Sequence, residues 1–366
     1  MNYAMIMAGG SGTRLWPMSR AKLPKQLIPF IKGKSLLQIA LERLDGLVPA
    51  EQCYICAGLS HQQVIAEALS FPESQYLGEP VGRDTLNAVA LGAAVLGRID
   101  PDAVVAVFTA DHIIEPIDRF QKIIGTGYKL ATEQPNTLVT FGIAPTHAAT
   151  GYGYLELGDS ISNASGGAQI VDQFKEKPPA ETAQDYFDAG PEKYLWNSGM
   201  FVWRAATLMN CIKEYEPENH DGLMRIAEAW DTPERQFALE EIYPTLKKIS
   251  VDFAVMEPAS KDPDVQVAAV PMPLTWLDVG SWPSFAETCD KDENANALGT
   301  TKHLMLDSSG TLVASSDPNH LITTIGCENM VIIHTPDATL VCPGDRAEDI
   351  KKLHGLVGEQ FSDDLL

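Results

Sequence analysis

The first 110 residues alternate short apolar runs with amphipathic helical patterns, and this rhythm constrains the fold more than any other feature of the chain. Such strand–helix alternation predicts an α/β fold: a Rossmann-like mixed, mostly parallel sheet with helices on both faces. Ligands of such sheets bind beyond the carboxyl ends of the strands. The apolar runs are residues 3–7, 53–57 and 103–108, and the helical patterns are residues 35–47, 61–69 and 85–98.

A glycine-rich segment follows the first apolar run directly. Ala8, Gly9, Gly10 and Gly12 leave little side chain in the way, so backbone N–H groups can approach phosphate oxygens. The first 41 residues contain six cationic side chains and no Asp or Glu, whereas the whole chain has a formal charge of −22. An acidic protein needs such a local positive pocket to bind a polyphosphate. The six are Arg14, Arg20, Lys22, Lys25, Lys32 and Lys34.

The glycine spacing excludes two common phosphate loops. Leu15 stands where a dinucleotide fingerprint needs its third glycine. The segment at Gly33 lacks the earlier glycine of a P-loop, because Ile28 stands there. The simpler alternative is that the glycines only shape a tight turn after a strand. The cationic side chains beyond them favour phosphate binding.

Composition indicates a cytoplasmic enzyme rather than a membrane or nucleic-acid-binding protein. The chain has 366 residues, 45% of them hydrophobic, which is enough for one large domain and an appendage. The opening apolar run is too short for a membrane helix and lacks the charged start of a signal peptide. The acidic balance argues against nucleic acid. Six scattered cysteines predict reduced thiols.

Asp111 comes just after the apolar run 104–108, where a buried strand is expected to end. A carboxylate at that place can hold a metal ion against a bound phosphate. The alternative is a cap for the helical segment that starts near Pro116, although Asp111 lies early for that role. His112 is expected to form a structural hydrogen bond.

The remainder of the chain suggests a second, smaller domain. A strand-rich part, 138–203, precedes helical patterns, at 205–215 and through much of 221–243. The polar stretch 290–296 predicts a linker, which gives a catalytic domain at 1–288 and a small domain at 297–366. Short β-type runs about nine residues apart predict a β-roll or a left-handed β-helix-like fold there, with a helix at 346–356 and a frayed end at 361–366. Its apolar edges predict packing on the first domain or homodimer formation.

Five ordered motifs resemble the sugar-phosphate nucleotidyltransferases and, among them, the short, single-function guanylyltransferases that act on mannose 1-phosphate. The residues that follow the last motif resemble the end of that family's short β domain. Three departures stand out: Asp84 replaces the usual asparagine of the base-reading loop, Leu86-Asn87 replaces an alanine-proline pair, and Gly344 stands where lysine is frequent. The motifs lie at 8–17 with 24–26, 110–112, 174–178, 196–201 and 276–282, and the β-domain match at 341–352.

The resemblance implies a reaction and a set of residue roles. An oxygen of mannose 1-phosphate attacks the α-phosphorus of GTP, which yields GDP-mannose and pyrophosphate without a covalent enzyme intermediate. Arg14 and Lys25 would hold the triphosphate, and Asp111 and Asp278 would bind Mg²⁺. Without the resemblance, Asp278 is equally compatible with a cap for a helix that starts near Ser281.

Substrate-binding roles follow from the same resemblance. It assigns nucleotide binding to the glycine loop with Thr13, and base reading to a second loop. The sugar phosphate would contact Glu176, Asn197, the Gly153 backbone and Lys177, although the charge run at 175–177 would otherwise be read as a solvated strand end. The base-reading residues are Glu79, Pro80, Arg83 and Thr85.

Alternatives of two classes remain open. A thymidylyltransferase, or a guanylyltransferase acting on another sugar such as a heptose, would share these motifs, since epimeric sugars differ by one hydroxyl. A non-catalytic nucleotide-sensing subunit would also keep the fold. The joint presence of Arg14, Lys25, Asp111 and Asp278 argues against a silent subunit.

Overall fold

A computed structural model describes residues 1–10, 12–29, 31, 33–162, 166–300 and 302–366. The chain forms two compact units that are not contiguous in sequence. Unit 1 comprises residues 1–9, 41–109 and 114–276, and unit 2 comprises residues 10–40, 110–113 and 277–366. The predicted contiguous domains 1–288 and 297–366 divide the chain differently and stay a prediction. No helix in the described part of the chain has the length and apolar character needed to cross a membrane.

Nine of the first eleven strands among the described residues form one sheet, in the order β3-β2-β1-β4-β9-β6-β10-β8-β7. The other two, β5 and β11, form a two-stranded sheet, and each strand has residues assigned to both units. The strands are β1 (Asn2–Met7), β2 (Cys53–Gly58), β3 (Tyr76–Glu79), β4 (Val104–Thr109), β5 (His112–Glu115), β6 (Thr137–Ile143), β7 (Tyr154–Ser160), β8 (Gln169–Lys175), β9 (Tyr194–Arg204), β10 (Gln266–Pro271) and β11 (Thr275–Asp278).

The predicted mixed α/β sheet is confirmed, and the three strands foreseen from the apolar runs pair in parallel, β1 with β2 and with β4. β2 also runs parallel to β3, which no apolar run predicted. Antiparallel β9 lies between β4 and β6, and β10 is parallel to β6. The interior of β1 is buried on both faces, as expected of a strand covered by helices on each side.

Within the residues that the structure describes, seven larger helices and one short helix belong to unit 1. α3 buries eleven consecutive residues, from Leu86 to Leu96, in the main core. The predicted helical stretch 221–243 is interrupted between α7 and α8, because Pro233 disfavours helical backbone at Thr232. The helices are α2 (Gln62–Leu69), α3 (Asp84–Ile99), α4 (Ile117–Glu133), α5 (Ala180–Ala189), α6 (Ala205–Tyr215), α7 (Pro217–Glu228), α8 (Arg235–Ile242) and α9 (Glu257–Ala259), while α1 (Leu36–Glu42) falls largely in unit 2.

Unit 2 contains a small β-helix-like fold, as the nine-residue spacing predicted. β12, β14 and β16 pair in parallel, β13 pairs in parallel with β15, and β17 closes antiparallel to β16. Parallel neighbours offset by about one coil are typical of a β-helix. The elements are β12 (Ala297–Gly299), β13 (His303–Leu306), β14 (Leu312–Ser315), β15 (Ile322–Ile325), β16 (Met330–Thr335), β17 (Ala338–Pro343), α10 (Trp282–Ala286) and α11 (Ile350–Gln360).

The glycine-rich loop shares a hydrophobic core with these C-terminal strands. Leu15 and Trp16 pack in one buried cluster with Trp282, Val331 and Ile333. The Trp282 indole N–H donates to the Trp16 carbonyl at 3.0 Å, so this buried polar atom is satisfied. The loop is therefore held by packing as well as by its own turns.

The expectation that residues 361–366 fray is wrong. The Trp16 indole N–H donates to the Leu365 carbonyl at 2.7 Å, and the Ala21 N–H donates to the Leu366 carbonyl at 2.8 Å. Arg20 also donates to the Leu365 carbonyl. The terminal segment is ordered because donors distant in sequence satisfy its carbonyls.

Candidate functional site

The glycine loop brings its backbone close to Lys25. Gly10 and Gly12 have φ values of 100° and 61°, which favour glycine. A Cβ at Gly12 would lie 2.9 Å from Lys25 Cβ, so a side chain there would displace the lysine. Thr13 begins a short 3₁₀ helix, Thr13–Leu15. Ser11 and Lys32, which belong to the predicted loop and cationic cluster, lie outside the described residues.

Lys25 and Asp111 form a nearly buried ion pair. Lys25 Nζ lies 2.6 Å from Asp111 Oδ2, and the lysine side chain is 10% exposed. Burial by itself would raise the pKa of Asp111, but the charges of Lys25 and His112 hold this pKa below its usual range. Asp111 is therefore ionised at neutral pH. His112 Nε2 lies 3.9 Å from Asp111 Oδ1.

Asp278 completes a group that could hold a metal ion. Asp111, His112 and Asp278 each offer a ligand atom, and these atoms all lie within 4.8 Å of one another. The Val279 N–H donates to the Asp111 carbonyl at 2.9 Å and so fixes the two carboxylates side by side. Burial, and then the charge of Asp111, raises the pKa of Asp278 to about 6. Two adjacent carboxylates that repel each other fit a divalent cation, which would neutralise both.

Arg14 lies beside this group. A Cβ at Gly280 would lie 3.4 Å from Asp278 Oδ1 and 3.5 Å from Arg14 Nη2, so glycine keeps the space between the two side chains open. Arg14 Nη1 donates to Glu348 Oε1 at 2.9 Å, in a solvent-exposed ion pair. The four predicted catalytic residues, Arg14, Lys25, Asp111 and Asp278, all belong to unit 2.

Arg20 is not free to bind phosphate, although it belongs to the cationic cluster. Its guanidinium donates to Asp337 Oδ1 at 2.6 Å and to Thr335 Oγ1 at 3.3 Å, besides the Leu365 carbonyl. This side chain ties the segment after the glycine loop to the β-helix strands. The sequence shows its charge but not these partners.

The predicted sugar-phosphate residues form a second cluster, in unit 1. Glu176 is buried, and Lys177 Nζ lies 2.7 Å from its Oε1. A Cβ at Gly153 would lie 2.7 Å from Glu176 Oε2, so a side chain there would displace the Glu176 carboxylate. The Asn197 N–H donates to the Gly153 carbonyl at 2.8 Å. The four predicted residues are thus neighbours.

Sequence reasoning missed Asp252 in this cluster. Asn197 Nδ2 donates to Asp252 Oδ1 at 2.9 Å. Burial, and then the charge of Glu176, raises the pKa of Asp252 to about 7. One available signal was a lone carboxylate between Val251 and the apolar residues 253–256.

The predicted base-reading residues lie near one another in unit 1. Buried Glu79 accepts a hydrogen bond from the Tyr243 hydroxyl at 2.6 Å, and burial raises the pKa of Glu79. Arg83 donates to the Pro244 carbonyl, and Thr85 Oγ1 accepts from the Val251 N–H at 3.0 Å. These two side chains also hold neighbouring segments in place. Pro80 follows Glu79 at the end of β3, and Ala8 and Gly9 belong to the same unit.

Comparisons with known proteins identify two matching families. The nucleotidyl transferase family model matches residues 3–295. The model of the mannose-phosphate isomerase/GMP-like β-helix domain matches residues 301–355. Of the described strands, β12 lies between the two matches.

Individual relatives agree with these matches. The mannose-1-phosphate guanylyltransferase of Salmonella typhimurium is 38% identical, over 95% of this chain and 71% of its own length. That of Escherichia coli K12 is 36% identical, over 96% of this chain and 72% of its own length. The crystal structure of mannose-1-phosphate geranyltransferase from Thermus thermophilus superposes with a TM-score of 0.84 at 32% identity, over 98% of this chain and 99% of that one.

Proposed function

The chain belongs to the mannose-1-phosphate guanylyltransferase family of nucleotidyl transferases, and we propose that it transfers GMP from GTP to mannose 1-phosphate. The bond that forms joins a phosphate oxygen of the sugar to the α-phosphorus. The bond that breaks joins the α-phosphorus to the oxygen bridging it to the β-phosphorus, and that oxygen leaves with pyrophosphate. The grouping of Arg14, Lys25, Asp111 and Asp278 in one unit carries this proposal.

Arg14 and Lys25 would stabilise the negative charge that accumulates on the phosphates. The planar guanidinium of Arg14 can bind two oxygens at once, and the Lys25 ammonium acts as a point charge. Asp111 holds Lys25 in place, since their ion pair is almost buried. The backbone N–H groups of the glycine loop, together with Thr13, would bind phosphate oxygens.

Asp111 and Asp278 are the residues that would hold Mg²⁺, with His112 next to them. Carboxylate oxygens suit this ion, which retains coordination positions for phosphate and water. When bound, the ion supplies positive charge to the reacting phosphates. Burial, and then the charge of Asp111, raises the pKa of Asp278 despite the opposing charges of Lys25 and Arg14, and a bound cation would offset both effects.

The mannose phosphate would contact the predicted sugar-phosphate residues, which are Glu176, Asn197, Lys177 and the Gly153 backbone.

The base would contact the predicted base-reading residues, which are Glu79, Pro80, Arg83 and Thr85. A carboxylate such as Glu79 can accept from the two adjacent N–H donors of guanine, whereas thymine offers one N–H. This difference favours GTP over a thymidine nucleotide, and the named relatives favour mannose over another sugar.

We propose further that residues 1–288 act as the catalytic domain and that 297–366 mediate homodimer formation. Leu304, Leu306 and Ile325 are 56–75% exposed on the outward face of the β13–β15 sheet. Two copies of a chain with a charge of −22 repel each other, so an uncharged, exposed apolar surface is the least costly place for contact. Light scattering should give twice the chain mass, and Ile325→Asp should give the monomer; a monomeric wild type would refute the homodimer.

Pyrophosphate release across a panel of nucleotides and sugar 1-phosphates tests the proposed function. Turnover should be highest with GTP, mannose 1-phosphate and Mg²⁺, and chelation should abolish it. Absence of turnover with GTP would overturn guanylyl transfer. A preference for a dTTP-containing pair would favour the thymidylyl alternative.

A further inference from the structure

The side-chain amide of Asn197 is held at both ends by buried partners. Thr140 Oγ1 lies 2.7 Å from Asn197 Oδ1, and Asn197 Nδ2 lies 2.9 Å from Asp252 Oδ1. Thr140 is fully buried, and Asn197 is 7% exposed. These contacts join β6, β9 and the turn that begins at Asp252, three segments that are distant in sequence.

Asp252 determines which way the Asn197 amide faces. An ionised carboxylate only accepts hydrogen bonds, so it must face the NH₂ end of the amide. The amide then keeps one N–H on Nδ2 and one lone pair on Oδ1 for other partners. A 180° flip would exchange this donor and acceptor, and the side chains at the two ends oppose it.

We propose that Asp252 is a positioning residue that, through Asn197, fixes the donor and acceptor offered to the sugar hydroxyls and so sets discrimination between epimeric hexose 1-phosphates. The inference rests on the proposed function, in which Asn197 binds the sugar. A site that hydrogen-bonds a hydroxyl discriminates strongly against the epimer that leaves its polar groups unpaired.

The charges around Asp252 predict that sugar binding depends on pH. Glu176 and Lys177, which follow β8, and Asp84, at the start of α3, act on its carboxylate electrostatically. Its pKa of about 7 means that it becomes protonated at mildly acidic pH, when it can donate as well as accept. Protonated Asp252 no longer fixes the Nδ2 end of the Asn197 amide, so KM for the sugar phosphate should rise as the pH falls below about 7.

Steady-state kinetics with mannose 1-phosphate and glucose 1-phosphate, at pH 6–8, test the inference. Asp252→Ala should raise KM for mannose 1-phosphate about tenfold or more, and KM for GTP should stay within about twofold of the wild-type value. The epimer ratio, which is kcat/KM for mannose 1-phosphate divided by kcat/KM for glucose 1-phosphate, should fall by a similar factor. Asp252→Asn should remove the part of the pH dependence of the sugar KM that comes from Asp252 and leave only the part that comes from the sugar phosphate, whose second pKa is about 6. Thr140→Val should raise KM for mannose 1-phosphate about fivefold, which corresponds to the loss of one hydrogen bond.

Asp262→Asn is the matched control, because the Asp262 carboxylate in the same unit also accepts a hydrogen bond, at 2.6 Å, but from the Tyr215 hydroxyl instead of Asn197. It should leave both KM values and the epimer ratio unchanged. If Asp252→Ala does not fold, Asp252→Asn and Thr140→Val provide the result. A wild type that forms no GDP-mannose overturns the proposed function and this inference together. An active wild type whose epimer ratio and pH profile survive in folded Asp252 variants overturns the inference alone.

Discussion

Lys25 Nζ lies 2.6 Å from Asp111 Oδ2, so the ammonium proposed to bind phosphate is held by a carboxylate proposed to bind metal. Neither group is an independent charge. Loss of the lysine leaves Asp111 and Asp278 without their nearest cation, and loss of the aspartate leaves a buried lysine unpaired.

Lys25→Met should reduce kcat about 100-fold or more, because it removes one donor to the charge that develops in the transition state. Lys22→Met is the control, since Lys22 is 93% exposed and pairs only loosely with Asp364, at 3.9 Å. Pyrophosphate-release kinetics give both values. Equal activities of the two variants would show that Lys25 does not contribute to the reaction.

Asp278→Asn should lower turnover by orders of magnitude while the protein remains folded. In the metal-free protein the raised pKa of Asp278, about 6, means that the folded state binds more protons than the unfolded state between about pH 4 and 6, so this group lowers stability as the pH rises through that range. The asparagine removes that penalty. Metal-free Asp278→Asn should therefore have a higher Tm than wild type at about pH 7.5 and not at about pH 4.

Thermal unfolding in EDTA at the two pH values measures this difference. A lower Tm for the variant at the higher pH would contradict the electrostatic account. If Asp278→Asn turns over as fast as wild type, Asp278 does not bind the proposed metal ion.

Gly12→Ala should reduce kcat at least about tenfold, because its Cβ would lie 2.9 Å from Lys25 Cβ and displace that side chain. Gly33→Ala is a matched control: Gly33 also has a positive φ, 77°, but a Cβ there meets no described atom within 4 Å. Both substitutions carry a similar backbone strain of roughly 1 kcal/mol. Only Gly12→Ala should lose activity, and an equal loss in both would assign the effect to strain.

Arg20→Met should destabilise the protein by about 1 kcal/mol, since it removes the ion pair with Asp337 and one of the donors to the Leu365 carbonyl, which keeps the Trp16 indole N–H. Urea unfolding measures this change. Limited proteolysis should then cleave within residues 361–366 faster than in wild type. Unaltered cleavage would show that Arg20 does not retain the terminal segment.

The sequence determined the local features of this protein. The apolar runs and glycine positions predict β1, β2 and β4, the phosphate loop and the parallel coils, because each depends on residues that are neighbours in the chain. The resemblance of the motifs supplied the proposed roles of Arg14 and Asp278. Burial patterns and turn chemistry depend on a few neighbouring residues, so they can be recognised from the sequence alone.

The tertiary structure alone decided which distant side chains meet. Asp252 reaches Asn197 from 55 residues away, and Arg20 reaches Asp337 from 317 residues away. These pairs depend on strand register and on how elements pack, which no local pattern encodes. The same physics ties Arg20, one of the six cations counted near the glycine loop, to Asp337 and Leu365, and places Glu348 on Arg14. Burial, likewise a property of the folded chain, shifted the pKa of Asp252 and of Asp278 into the range where enzymes work.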